Sequence, residues 1–319
     1  MTATEIEWTD VVWNPTTGCD RVSPGCDNCY ALTMAKRLKG MGQAKYQTDG
    51  DPRTSGPGFG IAEHSDTLSA PLSWRKPRKV FVNSMSDLFH KGVSDEFIAE
   101  VFAVMALTPH ITYQVLTKRH ARMRSLLASG EYIENLYDLA LRALMMDGQA
   151  SDQQCSAAPA LRRDRPLPNV WLGVSAENQQ WADLRIPALL ETPAAVRWVS
   201  AEPLLGPLDL QLWLADGWAC PHCSFRHTST IGATCVGCKQ RTWPLPYSRL
   251  DWVVTGGESG PGARPMDLAW AETIVKQCQA SGVPVLVKQL GTVTGGRTHH
   301  DIDTFPEGLR VRQYPEVMA

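Results

Sequence analysis

The chain has 319 residues, enough for one large core or two moderate ones, and 43% hydrophobic against 20% charged residues is the balance of a soluble globular protein. A formal charge of −2 and a pI of 6.4 exclude a global electrostatic pull toward nucleic acid, and no apolar run is long enough to span a membrane. Nine cysteines, an odd number, with no signal-peptide pattern, predict a reduced, cytoplasmic setting instead of a disulfide framework.

The first predicted strand runs from Ile6 to Trp13, apolar and β-branched, and Asn14-Pro15 ends it. Three cysteines follow, Cys19, Cys26 and Cys29, at the start of an amphipathic stretch. Only two residues separate Cys26 from Cys29, a spacing that puts both sulfurs on one centre. Thiolate is the soft ligand of iron–sulfur clusters, and three of them hold three irons of a [4Fe-4S] cluster while leaving the fourth open. A structural zinc with a fourth ligand from Asp20, Asp27 or a histidine satisfies the same spacing.

From residue 75 onward one theme repeats: a short apolar run, a polar or Gly-rich tip, then a helix. Lys79–Asn83 leads to Ser84-Met85-Ser86-Asp87 and a helix over 95–107. Thr112–Leu116 leads to Thr117-Lys118-Arg119 and a helix through Leu127. Asn169–Val174 leads to Glu177-Asn178 and a helix to Leu190, and Val196–Ser200 leads to Ala201-Glu202-Pro203. Leu250–Thr255 leads to Gly256-Gly257-Glu258-Ser259-Gly260 and a helix over 267–281. Val283–Val287 leads to Lys288-Gln289. Alternation of this kind makes a parallel sheet buried on both faces. A doubly wound sheet and a β/α barrel both fit. Polar tips after every strand favour a TIM-like α/β barrel, full or partial, with the tips and the cysteine loop at one mouth.

The predicted barrel spans 1–216 and 249–290 and carries two insertions, with a tail over 291–319. The first insertion, 129–168, holds a helix over 132–146 and then the polar run 147–154, expected to be mobile. The second, 217–248, carries Cys220-Pro-His-Cys223 and Cys235-Val-Gly-Cys238. Two such knuckles form the four-thiolate site of a zinc ribbon, a closed structural centre. Cys155 and Cys278 carry no such pattern.

Among the tips, Gly256 and Gly257 allow backbone N–H groups close to a ligand, or serve a tight turn that needs positive φ. Glu258, with Glu177 and Glu202 at equivalent tips, suits a cationic ligand such as a sulfonium. Lys118, Arg119 and Lys288 suit a carboxylate or phosphate. Asn83, Ser84 and Asp87 complete the ring, with strand-end or helix capping as their plainer role. Basic clusters at 75–79, 118–124 and Arg162-Arg163 with Arg165 are either solvated surface or polyanion contacts.

Across most of its length the chain resembles the three-Cys-motif proteins of phages and bacteria, remote relatives of radical S-adenosylmethionine (SAM) enzymes. The residues that carry the resemblance are Thr17-Gly-Cys19 with Ser23-Pro-Gly-Cys26-Asp-Asn-Cys29-Tyr30-Ala, Phe81–His90, Leu116–Arg119, Trp171–Asn178, Ser200–Gly206 and Thr255–Arg264-Pro265. The resemblance implies a radical SAM-like fold and a cluster at Cys19, Cys26 and Cys29. It further implies reductive cleavage of SAM to a 5′-deoxyadenosyl radical inside a shielding barrel. The cofactor would lie against Asn83, Ser84, Glu177, Glu202, Gly256, Gly257, Glu258 and Lys288. A phage-type setting, a ribbon and local basic clusters point to a nucleic-acid base or nucleotide as substrate. The competing expectation is a non-catalytic module in which both cysteine sets hold structural metals and the mouth binds nucleic acid or a protein partner.

Overall fold

The computed structural model describes residues 4, 6–159, 166–219, 226–227, 237–239, 245–247, 249–260, 262–291 and 300–316. These form two compact units. The first comprises 1–174 with 192–195, and the second 175–191 with 196–319. The boundary falls inside what the sequence reading treats as one barrel.

The first unit contains β1 (Val11–Val12), β2 (Thr16–Thr17), α1 (Tyr30–Gly40), β3 (Ala62–Glu63), α2 (Ser65–Leu68) and β4 (Arg78–Val82). It continues through α3 (Asp95–Ala106), β5 (Ile111–Thr117), α4 (His120–Leu127), α5 (Glu131–Met146), α6 (Asp152–Ala157) and β6 (Val170–Ser175), whose last residue opens the second unit. Strands β1, β4, β5 and β6 pair in that order, all parallel. Every residue of β6 is buried, as is most of β5, so the near-continuous apolar patterning reports cover on both faces. Between strands, α3 buries nine of its residues and is capped by Ser94, whose hydroxyl accepts from Phe97 N. The strand expected over 6–13 shortens to two residues. Thr9 N turns back to Ile6 O, and only Val11 and Val12 reach register with Val80 and Phe81. Of the polar run 147–154 expected to be mobile, residues 152–154 open α6, started by a capping box between Ser151 and Gln154.

The second unit contains α7 (Gln179–Leu190), β7 (Val196–Ala201), β8 (Gly217–Ala219), β9 (Arg226–His227), β10 (Leu245–Tyr247), β11 (Trp252–Gly256), α8 (Leu268–Ala280) and β12 (Val285–Gln289). Here β7, β11 and β12 pair in parallel, with the indoles of Trp198 and Trp252 in tilted contact (5.3 Å between centroids) and both fully buried. The chain is thus an α/β protein with seven parallel strands, four in the first unit and three in the second, alternating with helices. Among the described residues of the insert, β8, β9 and β10 pair as a separate antiparallel sheet in the order β10-β8-β9. Cys238 lies in a turn, next to Lys239 at φ 61°. Cys220, Cys223 and Cys235 lie outside the described residues, as do Arg162, Arg163 and Arg165.

The segment read as a tail is structural over 300–316. Val287 N donates to Val311 O (2.9 Å) and Gln313 N to Val285 O (3.0 Å), so the backbone covers the free edge of β12. The indole of Trp252 donates to Gln313 O (2.9 Å) and its ring stacks on Tyr314. Phe305 and Leu309 are buried to 1% and 0% exposure. Leu309→Ala is expected to cost about 2–5 kcal/mol, the range for truncating a buried leucine, and urea unfolding will measure it. A change under 0.5 kcal/mol, the scale of a surface substitution, would make this segment an accessory.

Candidate functional site

Two sets of polar strand-end side chains stand out, one within each unit. In the first, the cysteine loop leaves β2 through Gly18, whose φ is +89° and whose N donates to Met85 O (3.0 Å). A Cβ there would lie 2.1 Å from Gly60 O, so only glycine delivers the chain to Cys19. Cys26 ends a 3-10 turn, Pro24–Cys26, and is buried; Cys29 occupies the position before α1. Cys26 acts electrostatically on both Cys19 and Cys29. Burial pushes the Cys19 thiol up to about 12; the Asp87 carboxylate adds to this, while the Arg119 guanidinium opposes it. Burial also raises Cys29, against the N–H groups at the start of α1 and the charge of Lys118.

The loop is fixed from outside by Asp20. One carboxylate oxygen accepts from Thr54 Oγ1 (2.8 Å) and Ser55 Oγ (3.2 Å), and the other from His90 Nε2 (3.0 Å). Because Nδ1 of His90 accepts from Gly92 N (3.0 Å), the ring proton sits on Nε2, facing Asp20. Burial raises the Asp20 carboxyl, but these hydrogen bonds outweigh it and hold it below the ordinary value. Burial likewise keeps His90 below its ordinary value despite its partner. Asp87 is buried and accepts from Thr117 Oγ1 (2.6 Å), Lys118 N (2.9 Å) and Phe89 N (3.1 Å), binding the end of β4 to that of β5.

Asn83 and Ser84 are at the same strand ends as the loop and are used to hold it. Asn83 donates to Thr16 Oγ1 (3.1 Å); its Oδ1 is buried with no donor among the described residues. Ser84 N donates to Asn14 Oδ1 (2.8 Å), and Tyr30 donates its hydroxyl to Ser84 O (2.7 Å).

The second unit gathers Glu177, Glu202, Gly256, Gly257, Glu258 and Lys288, but each carboxylate has its own cation. Glu177 and Arg185, both fully buried, meet at 3.0 Å, and Arg185 also stacks on Trp181. Glu258 accepts from Arg264 through N (2.9 Å), Nε (3.0 Å) and NH2 (2.6 Å), a bidentate fork. Lys288 stands 3.2 Å from Glu202, whose side chain, 12% exposed, is the most open of the three carboxylates. Gly256 and Gly257 have neither positive φ nor open space. A Cβ on Gly256 would meet Glu202 Oε1 at 2.8 Å, and one on Gly257 would meet Gly291 Cα at 2.7 Å. Close passage of β11 along 289–291 is what excludes a side chain there, and Gln289 Nε2 completes it by donating to Gly257 O (2.7 Å).

Sequence reading did not assign Asp20–His90 as a brace, nor Arg185 and Arg264 as partners. His90 and Arg264 fall within the motifs that carry the resemblance, which is the one signal that marks them.

The donor chemistry fits an iron–sulfur cluster: three thiols at a strand-to-helix loop beside Arg119 and Lys118. Among the described residues no three His, Cys, Asp or Glu side chains are grouped closely enough to hold a single metal ion. Cluster ligation asks for something different, because each thiolate takes a separate iron. No helix among the described residues is long and apolar enough to cross a membrane.

Fold and site thus define a parallel α/β protein with a three-cysteine strand-end loop. Residues 3–310 match the family described as "Protein of unknown function (DUF5131)", and the chain belongs to it. No curated protein and no solved structure matches significantly.

Breaking the buried pair tests the electrostatic reading of the second set. Arg185→Met is expected to cost about 3–5 kcal/mol in urea unfolding, because it strands the Glu177 charge. Glu177→Leu/Arg185→Met is expected to recover most of that loss.

Proposed function

We propose that this chain is a radical SAM-like iron–sulfur enzyme acting on a nucleic-acid base or nucleotide. The observation that supports it is the Cys19, Cys26 and Cys29 loop, with Cys26 acting electrostatically on both other thiols between a strand end and α1, braced by Asp20 and His90. These three residues would hold the cluster. When bound, such a cluster supplies the electron for reductive cleavage of SAM. The chain's own part is to fix the loop through Gly18 and Asp20 and to set cations beside the thiols. In the second unit the residues for SAM contact narrow to Glu202 and Lys288, since Glu177 and Glu258 are each occupied by an arginine. The four cysteines of the insert would hold a structural zinc.

Anaerobic reconstitution with iron and sulfide tests the cluster. Brown protein with about four irons and about one zinc per chain is expected. Replacing Cys19, Cys26 or Cys29 by Ala should abolish the visible absorbance and leave the zinc in place. Zinc at both cysteine sets with no iron uptake would sink the enzyme reading.

That outcome is the second reading, a metal-stabilised module for nucleic acid or protein. The internal neutralisation of Glu177 and Glu258 favours it, since those side chains are paired without any ligand. Calorimetric titration of SAM into the reconstituted protein separates the two. Binding to wild type with at least tenfold weaker binding to Glu202→Gln is expected, the loss of about 1.4 kcal/mol. Equal affinity would remove Glu202 from the SAM site, and no binding to either protein would remove SAM.

A further inference from the structure

Every buried or half-buried arginine described at the two polar sets has a carboxylate partner except one. Arg185 has Glu177 and Arg264 has Glu258. Arg119, at the end of β5 and the start of α4, has no carboxylate within ion-pair range among the described residues. Its NH2 donates instead to the backbone carbonyl of Asp20 (3.0 Å), the residue after Cys19. Its backbone N donates to Thr117 Oγ1 (2.8 Å), which in turn donates to Asp87, so the start of α4 is fixed. Its Nε is buried and has no acceptor among the described residues. A buried N–H left without an acceptor is unfavourable, and more so on a charged, half-buried guanidinium. The asymmetry has a direction: the charge of Arg119 acts on the Cys19 thiol.

We propose that Arg119 is a positioning residue for the iron–sulfur centre, holding the Cys19 ligand through the Asp20 carbonyl and raising the cluster's reduction potential with its unneutralised charge. The inference rests on the iron–sulfur reading above and adds a role for a residue outside the ligand set. Reducing a cluster adds negative charge to it. A cation held in a low-dielectric surrounding stabilises that form, and hydrogen bonding near the sulfurs acts in the same sense. The Asp87 carboxylate, held by three neutral donors, acts on Cys19 in the opposite sense and more strongly, so Arg119 is the cation that offsets it there.

The test is an EPR-monitored redox titration of anaerobically reconstituted wild type, Arg119→Met and Arg119→Lys, each first assayed for iron and sulfide. Arg119→Lys keeps the charge without the planar fork and supplies a comparison should Arg119→Met fail to fold. Expected are full iron loading and a midpoint potential more negative than wild type, further in Arg119→Met than in Arg119→Lys. An unchanged potential in the variants that load iron overturns the proposal, because a residue that merely braced the loop would leave it there. So does a loss of iron from both variants with their fold intact, since that makes Arg119 a requirement for ligation alone. Wild type that takes up no iron overturns the underlying iron–sulfur reading, and is seen before any variant is compared.

Discussion

Parallel strands buried on both faces leave few places for ionisable side chains, and those at the strand ends must find partners within the fold. This one constraint organises both polar sets. Asp87 at the end of β4 takes three donors from its own loop and from β5; Asp20 takes three from Thr54, Ser55 and His90. Glu177 takes Arg185, and Glu258 takes Arg264. Each of these ties one loop to another segment of the same unit, so satisfying buried charge is also what fixes the loops. The cysteine loop inherits its position from this arrangement, because Asp20 follows Cys19 directly.

Most of the fold was legible in the sequence because the apolar runs and helix signals agree. The helices expected over 95–107, 132–146 and 267–281 are observed as Asp95–Ala106, Glu131–Met146 and Leu268–Ala280. Six strands fall within two or three residues of their expected bounds. The first strand misled because hydrophobicity does not report register: Trp8 is buried, yet it lies in a turn and only Val11 and Val12 pair. The last segment misled for the opposite reason. Its polar composition hides Phe305 and Leu309, and its pairing with β12 is carried by backbone groups, which no side-chain pattern announces.

The candidate residues were found more reliably than their roles. Carboxylates at strand ends were visible, but their neutralisation was not, because Arg185 is eight residues beyond Glu177 and Arg264 six beyond Glu258. Neither spacing signals a pair without knowing the loop path. The glycines show the same gap. Gly256 and Gly257 read as ligand-facing or turn residues, whereas the neighbouring 289–291 backbone and the Glu202 carboxylate are what leave no room for Cβ. Gly18 is the reverse case. Its place next to Cys19 drew no special weight, yet its positive φ and its contact with Gly60 O make it the residue that aims the loop.

Electrostatic balance separates the two sets in kind. In the second unit the carboxylates and cations cancel pairwise, a state that is complete without a ligand and therefore serves cohesion at least as well as binding. Around the cysteines the charges are not paired one to one: Asp20 and Asp87 are held by neutral donors, and among the described residues Arg119 has no carboxylate within ion-pair range. Neutral thiols cannot supply a counter-ion, and burial keeps Cys19 neutral in the absence of metal. Three thiolates on iron would supply negative charge in the place where the fold has left a cation. The three-cysteine loop is therefore the set in which a cation stands beside thiols and donates to the loop backbone without a carboxylate paired to it among the described residues.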